Sequence, residues 1–348
     1  MTDSPEGYDV EKVEEWIRTN ISELSPPLTW IRLEGGHSNL TYRIEDSYGK
    51  AAVITRPPQG ELLPKAHDMS REWSLISALG PTPVPVPIAM GFCESPEITG
   101  AWFYVMGLVD GRPLYNNEET LDWVPESKRK TLAYSFVDVL ADLHAVDPGK
   151  VGLSDLGKAD SYVGRQLKTW YRSWTSSIES AHYDDPRAHE LQEFFIKNLP
   201  EQKGLRIVHG DYGLHNCLTG PDSKIAAVVD WEISTLGDPL ADLAYALNFF
   251  PDPSDAIPIS PEAATAVPGF PARSELAKRY GKRAKADLSN LDYYTGFNRW
   301  KSACIVHGVY ARYMAGQKSS EGVDLEHMRE RIGIALSLSE QAVNRLTQ

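Results

Sequence analysis

The pattern of apolar positions divides the chain into a first part with short alternating segments and a second part with long helical stripes. Val10, Val13 and Ile17 recur at helical spacing, and apolar residues alternate with polar ones from Leu40 to Ile44. These two periods indicate a helix and a strand. The predicted elements of the first part are helices over 9–19 and 66–79 and strands over 31–33, 40–45, 51–56, 88–92 and 102–109.

The second part of the chain is predicted to be mostly helical. Alternating prolines over 81–87 indicate an extended connector, and the polar residues 110–113 indicate a crossing between two lobes. Beyond them, apolar stripes predict helices, which one β-rich island over 207–231 interrupts. The stretch 250–271 lacks apolar periodicity and is rich in Pro, Ser and Ala, which predicts a long surface loop before helices resume near Ser274.

Composition and charge exclude several classes of function. A chain of 348 residues suggests two domains or one large bilobal unit. The 35 basic and 48 acidic residues give a net charge of −13, which argues against a nucleic-acid partner. No apolar run approaches the roughly 18 residues that span a bilayer, so we expect a soluble protein and no membrane partner. The acidic N-terminus and three scattered cysteines predict a reducing, cytoplasmic setting.

The β-rich island carries the candidate chemistry. It contains the run His209-Gly210-Asp211-Tyr212-Gly213-Leu214-His215-Asn216 and, after a polar turn, an apolar strand that ends at Asp230. An Asp, an Asn five positions later and an Asp after a hairpin form the arrangement that phosphoryl transfer requires. Asp211 is the candidate catalytic base, which would accept the hydrogen bond of a substrate hydroxyl. Asn216 and Asp230 offer the hard oxygen ligands that Mg²⁺ prefers.

Other polar residues near the island are predicted to support it. His209 is expected to brace the catalytic loop, because no second His or Cys at zinc spacing accompanies it. Asp238 precedes Pro239 and an apolar helical run, which predicts a helix N-cap. Asp242 is expected to brace the loop as well.

The run HGDYGLHN followed by VVDWEISTLGDPLADLAY resembles the signature of the aminoglycoside phosphotransferase superfamily, whose fold is similar to that of protein kinases. Further segments, such as TPVPVPIAMGFCE and WFYVMGLVDGRPL, resemble the subgroup associated with acyl-CoA dehydrogenases. The resemblance covers most of the chain. It implies an α+β, bilobal, kinase-like fold, with a nucleotide-binding lobe over 1–108, a catalytic and acceptor-binding lobe over 109–348, and a hinge near 105–113.

The resemblance also implies the residues of an ATP site. The loop that covers ATP and the hinge that meets adenine would comprise Gly35, Gly36, Ser38, Asn39, Thr41, Met106, Gly107 and Leu108. Glu72 matches the helix carboxylate that pairs with the ATP-binding cation. The third predicted strand ends with Val53-Ile54-Thr55-Arg56, where kinases carry a Lys. Strand alternation lets Ile54 cover adenine while Arg56 reaches phosphate, whereas a shift of one residue puts Thr55 there and leaves no cation.

The predicted function is therefore transfer of the γ-phosphoryl group from ATP, with Mg²⁺, to a hydroxyl of a small molecule. The resemblance favours a hydroxylated acyl compound or another metabolite over an aminoglycoside or other antibiotic. The alternative from another class is a nucleotide-binding pseudokinase that regulates without turnover, an alternative that the unusual cation position favours and the intact Asp211, Asn216 and Asp230 oppose.

Overall fold

The computed structural model describes residues 5–33, 39–59, 68–158, 161–202, 204–255 and 257–346. The chain divides into two compact units. The first comprises Met1–Pro113, Gly149–Leu153 and Leu214–Ile233, and the second comprises Leu114–Pro148, Ser154–Gly213 and Ser234–Gln348. None of the helices in these described ranges combines the length and the apolarity needed to cross a membrane.

The first unit contains most of the strands. Its elements are α1 (Val10–Asn20), β1 (Leu28–Arg32), β2 (Leu40–Asp46), β3 (Ala51–Arg56), α2 (Met69–Leu79), β4 (Ala89–Cys93), α3 (Pro96–Thr99) and β5 (Phe103–Gly107). They form a five-stranded antiparallel sheet in the order β1-β2-β3-β5-β4. The side chains of Asp9 and Asp68 cap the N-termini of α1 and α2, which explains where these helices begin.

The two faces of this sheet have different roles. On one face, Ile44 of β2 and Ile54 of β3 are fully buried in an apolar cluster that includes Val13 and Ile17 of α1. On the other face, Tyr104 of β5 contacts α2. Because successive strand residues point to opposite faces, each residue of β3 belongs either to the α1 side or to the α2 side.

A hairpin from later in the chain belongs to the first unit. After a short 3₁₀ helix (Leu214–Asn216) come β7 (Cys217–Thr219) and β8 (Ile225–Val228), which pair antiparallel. Thr219 and Arg112 exchange two backbone hydrogen bonds of 2.7 and 3.0 Å, and the backbone amide of Val228 donates to the carbonyl of Pro85 at 2.9 Å. These bonds join the hairpin to the rest of this unit.

The second unit is mainly helical. Its elements are α4 (Asn117–Trp123), α5 (Glu126–Ala145), α6 (Tyr162–Ala181), α7 (Pro186–Lys197), β6 (Arg206–Val208), β9 (Thr235–Gly237), α8 (Pro239–Leu247), α9 (Arg273–Ala284), α10 (Leu291–Met314) and α11 (Leu325–Leu346). Helix α10 is central, because it packs against α6, α7, α8 and α11. Strands β6 and β9 pair antiparallel.

The structure confirms the predicted α+β class and most of the predicted elements. The described part of 250–271 holds no helix or strand, as its composition indicates, apart from a single bridge between Ala263 and Asn116. The sequence prediction missed three helices, α3, α4 and α7. Helix α3 has only four residues, whereas the apolar residues of α7 do recur at helical spacing and were overlooked. The lobe boundary near residue 108 stays a prediction, since the compact units are a different division of the chain.

Candidate active site

A buried carboxylate on α8 braces the loop that carries Asp211. The backbone amides of His209 and Gly210 donate to the Asp242 carboxylate at 2.7 and 2.9 Å, and His144 Nε2 lies 3.2 Å from its Oδ2. Burial by itself raises the pKa of Asp242. The hydrogen bond and charge of His144, together with the charge of His209 and the hydrogen bond from the Gly210 amide, outweigh burial and hold that pKa below its ordinary value. The φ of Gly210 is 87°, a conformation that favours glycine. The loop therefore has a defined backbone shape.

Asp211 itself is held by a tyrosine of the same unit. The Tyr245 hydroxyl on α8 donates to Asp211 Oδ1, and the Asp211 amide donates to His209 Nδ1 at 3.3 Å. Burial, followed by the charge of Asp211 and this hydrogen bond, raises the pKa of Tyr245 above its ordinary value. Tyr245 thus remains a protonated donor, and one carboxylate oxygen of Asp211 has a fixed direction.

Asp238 stands at the N-terminus of α8. Its carboxylate accepts hydrogen bonds from the Leu240 amide at 2.9 Å and the Tyr294 hydroxyl at 2.7 Å, and Pro239 is the first helical residue. Next to this contact, Asn298 Nδ2 donates to the carbonyl of Ala241 at 2.7 Å. These bonds attach α8 to α10 and set the position of the side chains on this face of α8.

The hairpin of the first unit brings Asn216 and Asp230 together. The backbone amide of Val229 donates to the carbonyl of Asn216 at 3.0 Å, so Asp230 directly follows a residue bonded to Asn216. The φ of Asp230 is 64°, in the left-handed region, which is uncommon for a residue other than glycine and typical of functional sites. An amide oxygen and a carboxylate suit Mg²⁺, which takes its remaining ligands from waters and phosphate oxygens. These two residues therefore fit the predicted metal.

Glu72 on α2 is buried in the first unit, with 4% of its surface exposed. Its carboxylate accepts hydrogen bonds from the Tyr104 hydroxyl at 2.9 Å and from Asn39 Nδ2 at 3.4 Å. Burial raises the pKa of Glu72 to about 7, and the negative charges of Asp230 and Glu232 add to this effect. In the described ranges no Lys or Arg forms an ion pair with it.

The structure corrects the prediction that Arg56 pairs with Glu72. Arg56 points to the α1 side, where its guanidinium donates to the carbonyls of Gly7, Thr99 and Pro57. Ile54, on the same side, is fully buried in the core and cannot cover a nucleotide. The physical reason is the register of β3, which the sequence leaves open by one residue.

The residue on the Glu72 side is Thr55. It is opposite Tyr104 in the register of β5, and its hydroxyl lies 2.9 Å from that of Thr41. Thr41, Thr55 and Asn39 therefore line the same face as Glu72.

The remaining predicted nucleotide residues have the following positions. Gly35, Gly36 and Ser38 lie outside the described residues. Met106 and Gly107 end β5, where the Gly107 amide donates to the carbonyl of Ile88 at 2.8 Å. Leu108 follows and is exposed. A Cβ at Gly107 would lie 3.4 Å from the Ile88 Cβ, which is ordinary contact, so the backbone there does not require glycine.

Sequence reasoning missed His144 and Tyr245, and it also missed the contact of Tyr104 with Glu72. Only Tyr245 carries a local signal, because it follows Asp242 by three positions on a helix and therefore shares its face. The others are distant in sequence from the groups they contact, so no spacing rule identifies them.

Comparison with known proteins gives the family. The model of the "phosphotransferase enzyme family" matches residues 29–276. Acyl-CoA dehydrogenase family member 11 of Homo sapiens is 31% identical over 322 residues, which cover 90% of this chain and 40% of that protein. The chain thus spans about two fifths of the length of this relative.

Solved structures show the same fold. A Ralstonia eutropha protein, provisionally assigned as an aminoglycoside phosphotransferase, superposes with a TM-score of 0.80 at 26% identity, over 96% of this chain and 99% of that one. An aminoglycoside phosphotransferase in ternary complex with AMP-PNP and hygromycin B superposes with a TM-score of 0.59 at 15% identity, over 94% and 98% of the two chains, which shows the fold alone. The predicted kinase-like fold is thereby confirmed, and the chain belongs to the phosphotransferase enzyme family.

Proposed function

We propose that this family member is a small-molecule kinase that transfers the γ-phosphoryl group of ATP to a hydroxyl, with Mg²⁺ as cofactor and in the cytoplasm. The observation that carries the proposal is the Asp211 carboxylate, which accepts the Tyr245 hydrogen bond within a loop braced by Asp242. A carboxylate fixed in this way is suited to orient a hydroxyl for attack.

In the proposed reaction the acceptor oxygen forms a bond to the γ-phosphorus while the bond from that phosphorus to the β,γ-bridging oxygen breaks. ADP leaves with the electron pair, and the hydroxyl proton passes to Asp211. Asn216 and Asp230 would hold Mg²⁺, which neutralises charge on the phosphates when bound. The chain supplies position and charge rather than a covalent intermediate.

We assign the nucleotide side to the face of the sheet that carries Glu72. Asn39, Thr41 and Thr55 present neutral polar groups there, and Met106, Gly107 and Leu108 offer backbone groups at the end of β5. Gly35, Gly36 and Ser38 stay predictions of the loop over the phosphates. Arg56 and Ile54 leave this set because their side chains point to the α1 side.

For the acceptor we propose a hydroxylated acyl compound or another metabolite, with an aminoglycoside as the weaker candidate. The support is the 31% identity to a member of an acyl-CoA dehydrogenase family, whereas the aminoglycoside complex shares only 15% identity. Family membership by itself does not select the acceptor.

Transfer from γ-labelled ATP to a panel of hydroxy acids, hydroxyacyl-CoAs, sugars and aminoglycosides tests the proposal. Asp211→Asn should lower kcat by about 10²- to 10⁴-fold, the usual contribution of a general base, and should leave the Kd for Mg-ATP within a factor of a few. Asp222→Asn, in the exposed turn of the β7–β8 hairpin, is the matched control and should keep full activity. Undiminished transfer by Asp211→Asn would show that its role is misassigned.

One observation favours a second candidate, a nucleotide-binding module without turnover. The Glu72 carboxylate meets Tyr104 and Asn39, and in the described part of the chain no cation pairs with it. Binding of Mg-ATP measured by calorimetry, together with neither transfer to any acceptor nor ATP hydrolysis, would support this candidate. Slow ATP hydrolysis that Asp230→Ala abolishes would exclude it.

A further inference from the structure

A buried lysine, Lys301, lies beside the loop that carries Asp211. Lys301 of α10 has 8% of its surface exposed, and its ammonium forms no hydrogen bond or ion pair with a residue of the described ranges. Its Nζ lies over the ring face of Tyr245, 5.7 Å from the ring centroid. Burying an ammonium without an anionic partner costs free energy, so its presence here calls for a physical reason.

The position of Lys301 is next to the proposed base. The ring of Tyr245 contacts Lys301 with its face and Asp211 with its hydroxyl, so one side chain separates the cation from the catalytic carboxylate. Burial lowers the pKa of Lys301, while the charges of Asp242 and Asp211 act to raise it. Both carboxylates are thus within electrostatic reach of the ammonium.

These two carboxylates do not depend on Lys301 for hydrogen bonds. Asp242 accepts from two backbone amides and contacts His144, and Asp211 accepts from Tyr245. The ammonium is also not enclosed. Lys301 keeps 8% of its surface exposed, and its Nζ is not among the described polar side-chain atoms that are both enclosed and without a hydrogen-bond partner. An incoming anion can therefore approach it.

We propose that Lys301 binds an anionic group of the phosphoryl acceptor, and that the acceptor is a hydroxy compound bearing a carboxylate or a phosphate. This inference rests on the proposed function, because Asp211 defines where the acceptor hydroxyl lies. Lys301 and Asp211 both contact the Tyr245 side chain, so a short molecule can place its hydroxyl at Asp211 and its anion at Lys301. A cationic acceptor such as an aminoglycoside would be repelled by the ammonium.

Pairs of acceptors that differ only in the anion test the inference. Hydroxy carboxylic acids of three to six carbons are compared with their primary amides and with hydroxyalkyl phosphates of the same length. The variants are Lys301→Met, which keeps the volume, Lys301→Arg, which keeps the charge, and Lys282→Met on the exposed surface of α9 as the control. Thermal unfolding checks that each variant is folded.

Binding and turnover are measured separately. We expect the parent protein to bind and phosphorylate an anionic acceptor better than its amide. Lys301→Met should raise KM and Kd for that anion about ten- to hundredfold, the contribution of a charged hydrogen bond, and leave the amide unchanged. Lys301→Arg should restore part of the loss, and Lys282→Met should change nothing. The anion is identified by which series, the carboxylates or the phosphates, shows the rise in KM and Kd in Lys301→Met.

Two outcomes would contradict the role of Lys301 without contradicting the proposed kinase activity. One is an equal preference for the anion and the amide in the parent protein, including binding of neither. The other is an equal fall in kcat for both in Lys301→Met, which is the signature of a counter-ion for Asp211. Anion binding that Lys301→Met weakens, in a protein that transfers phosphate to nothing, would support Lys301 as the anion site while contradicting the proposed kinase activity.

Discussion

The carboxylate of Asp211, the proposed base, accepts a hydrogen bond from a residue outside the sequence motif. Asp211 accepts from the Tyr245 hydroxyl, whose pKa is raised by burial and by the charge of Asp211, which favours the protonated phenol that donates. Because one oxygen of Asp211 is held in this way, the direction of the carboxylate is fixed before the acceptor binds.

Removing this hydrogen bond should slow the reaction without affecting the nucleotide. Tyr245→Phe keeps the ring and deletes only the donor, so we expect kcat to fall about tenfold, the value of one hydrogen bond to a charged group. The KM for ATP should not change. Steady-state kinetics measure both, with Tyr48→Phe at an exposed turn as the control. An unchanged kcat in Tyr245→Phe would contradict the positioning role.

Glu72 should make the stability of the protein depend on pH. Burial first, and then the charges of Asp230 and Glu232, raise its pKa to about 7 from an ordinary value of 4.5. The protonated form is therefore the one that the fold favours. Its contribution to the free energy of unfolding is complete below pH 4.5 and is lost as pH rises through 7, with a total of roughly 3 kcal/mol.

The variant Glu72→Gln carries a neutral side chain of the same shape at every pH. Urea unfolding at pH 5 and pH 8 should show that the parent protein loses stability relative to Glu72→Gln as pH rises, by up to the roughly 3 kcal/mol given above. A difference between the two proteins that stays constant over this range would mean that Glu72 is ionised throughout.

At the scale of elements, α8 organises the loop that carries Asp211. Asp238, Asp242 and Tyr245 are spaced by four and three residues, so they share one face of the helix. The first caps the helix, the second braces the loop and the third holds Asp211. A shift of α8 would therefore move all three contacts together.

Asp242 should contribute far more to the free energy of unfolding than an aspartate at the surface does. In Asp242→Asn one of the two oxygens becomes an amide NH₂ that faces backbone donors, so we expect a loss of about 3 kcal/mol in unfolding free energy and a lower kcat. The control is Asp142→Asn, which breaks the exposed pair with Arg283 and should cost less than about 1 kcal/mol. Chemical denaturation compares the two, and equal losses would argue against a bracing role for Asp242.

At the scale of the whole molecule, all three cysteines are buried and none forms a disulfide: Cys93, Cys217 and Cys304. Burial raises the pKa of the Cys93 and Cys304 thiols, which further lowers their reactivity. Folding, rather than disulfide bonds, therefore protects these thiols.

Native protein should react with none of its thiols on the timescale of a minute, and protein in guanidinium chloride should react with all three. A colorimetric thiol titration under both conditions measures this, and the denatured sample serves as the control. A thiol that reacts rapidly in the native protein would show that its part of the fold opens frequently.

Local sequence was sufficient to predict those parts of the protein whose contacts join residues close together along the chain. The spacing of Asp211, Asn216 and Asp230 predicted a phosphoryl-transfer motif, which stays a prediction. The hairpin of short strands does bond the backbone of Asn216 to Val229, the residue before Asp230. Helix caps, strand alternation and the loop over 250–271 followed from the same short-range patterns.

Contacts between distant segments required the tertiary structure. The alternation of β3 predicts two faces but does not predict which face meets α2. In the structure Thr55, rather than Arg56, lies on the α2 side. Tyr245 lies 34 residues from Asp211 along the chain, and Lys301 lies still further along it, on α10. Side-chain periodicity shows which residues share a face, whereas only packing shows what that face contacts.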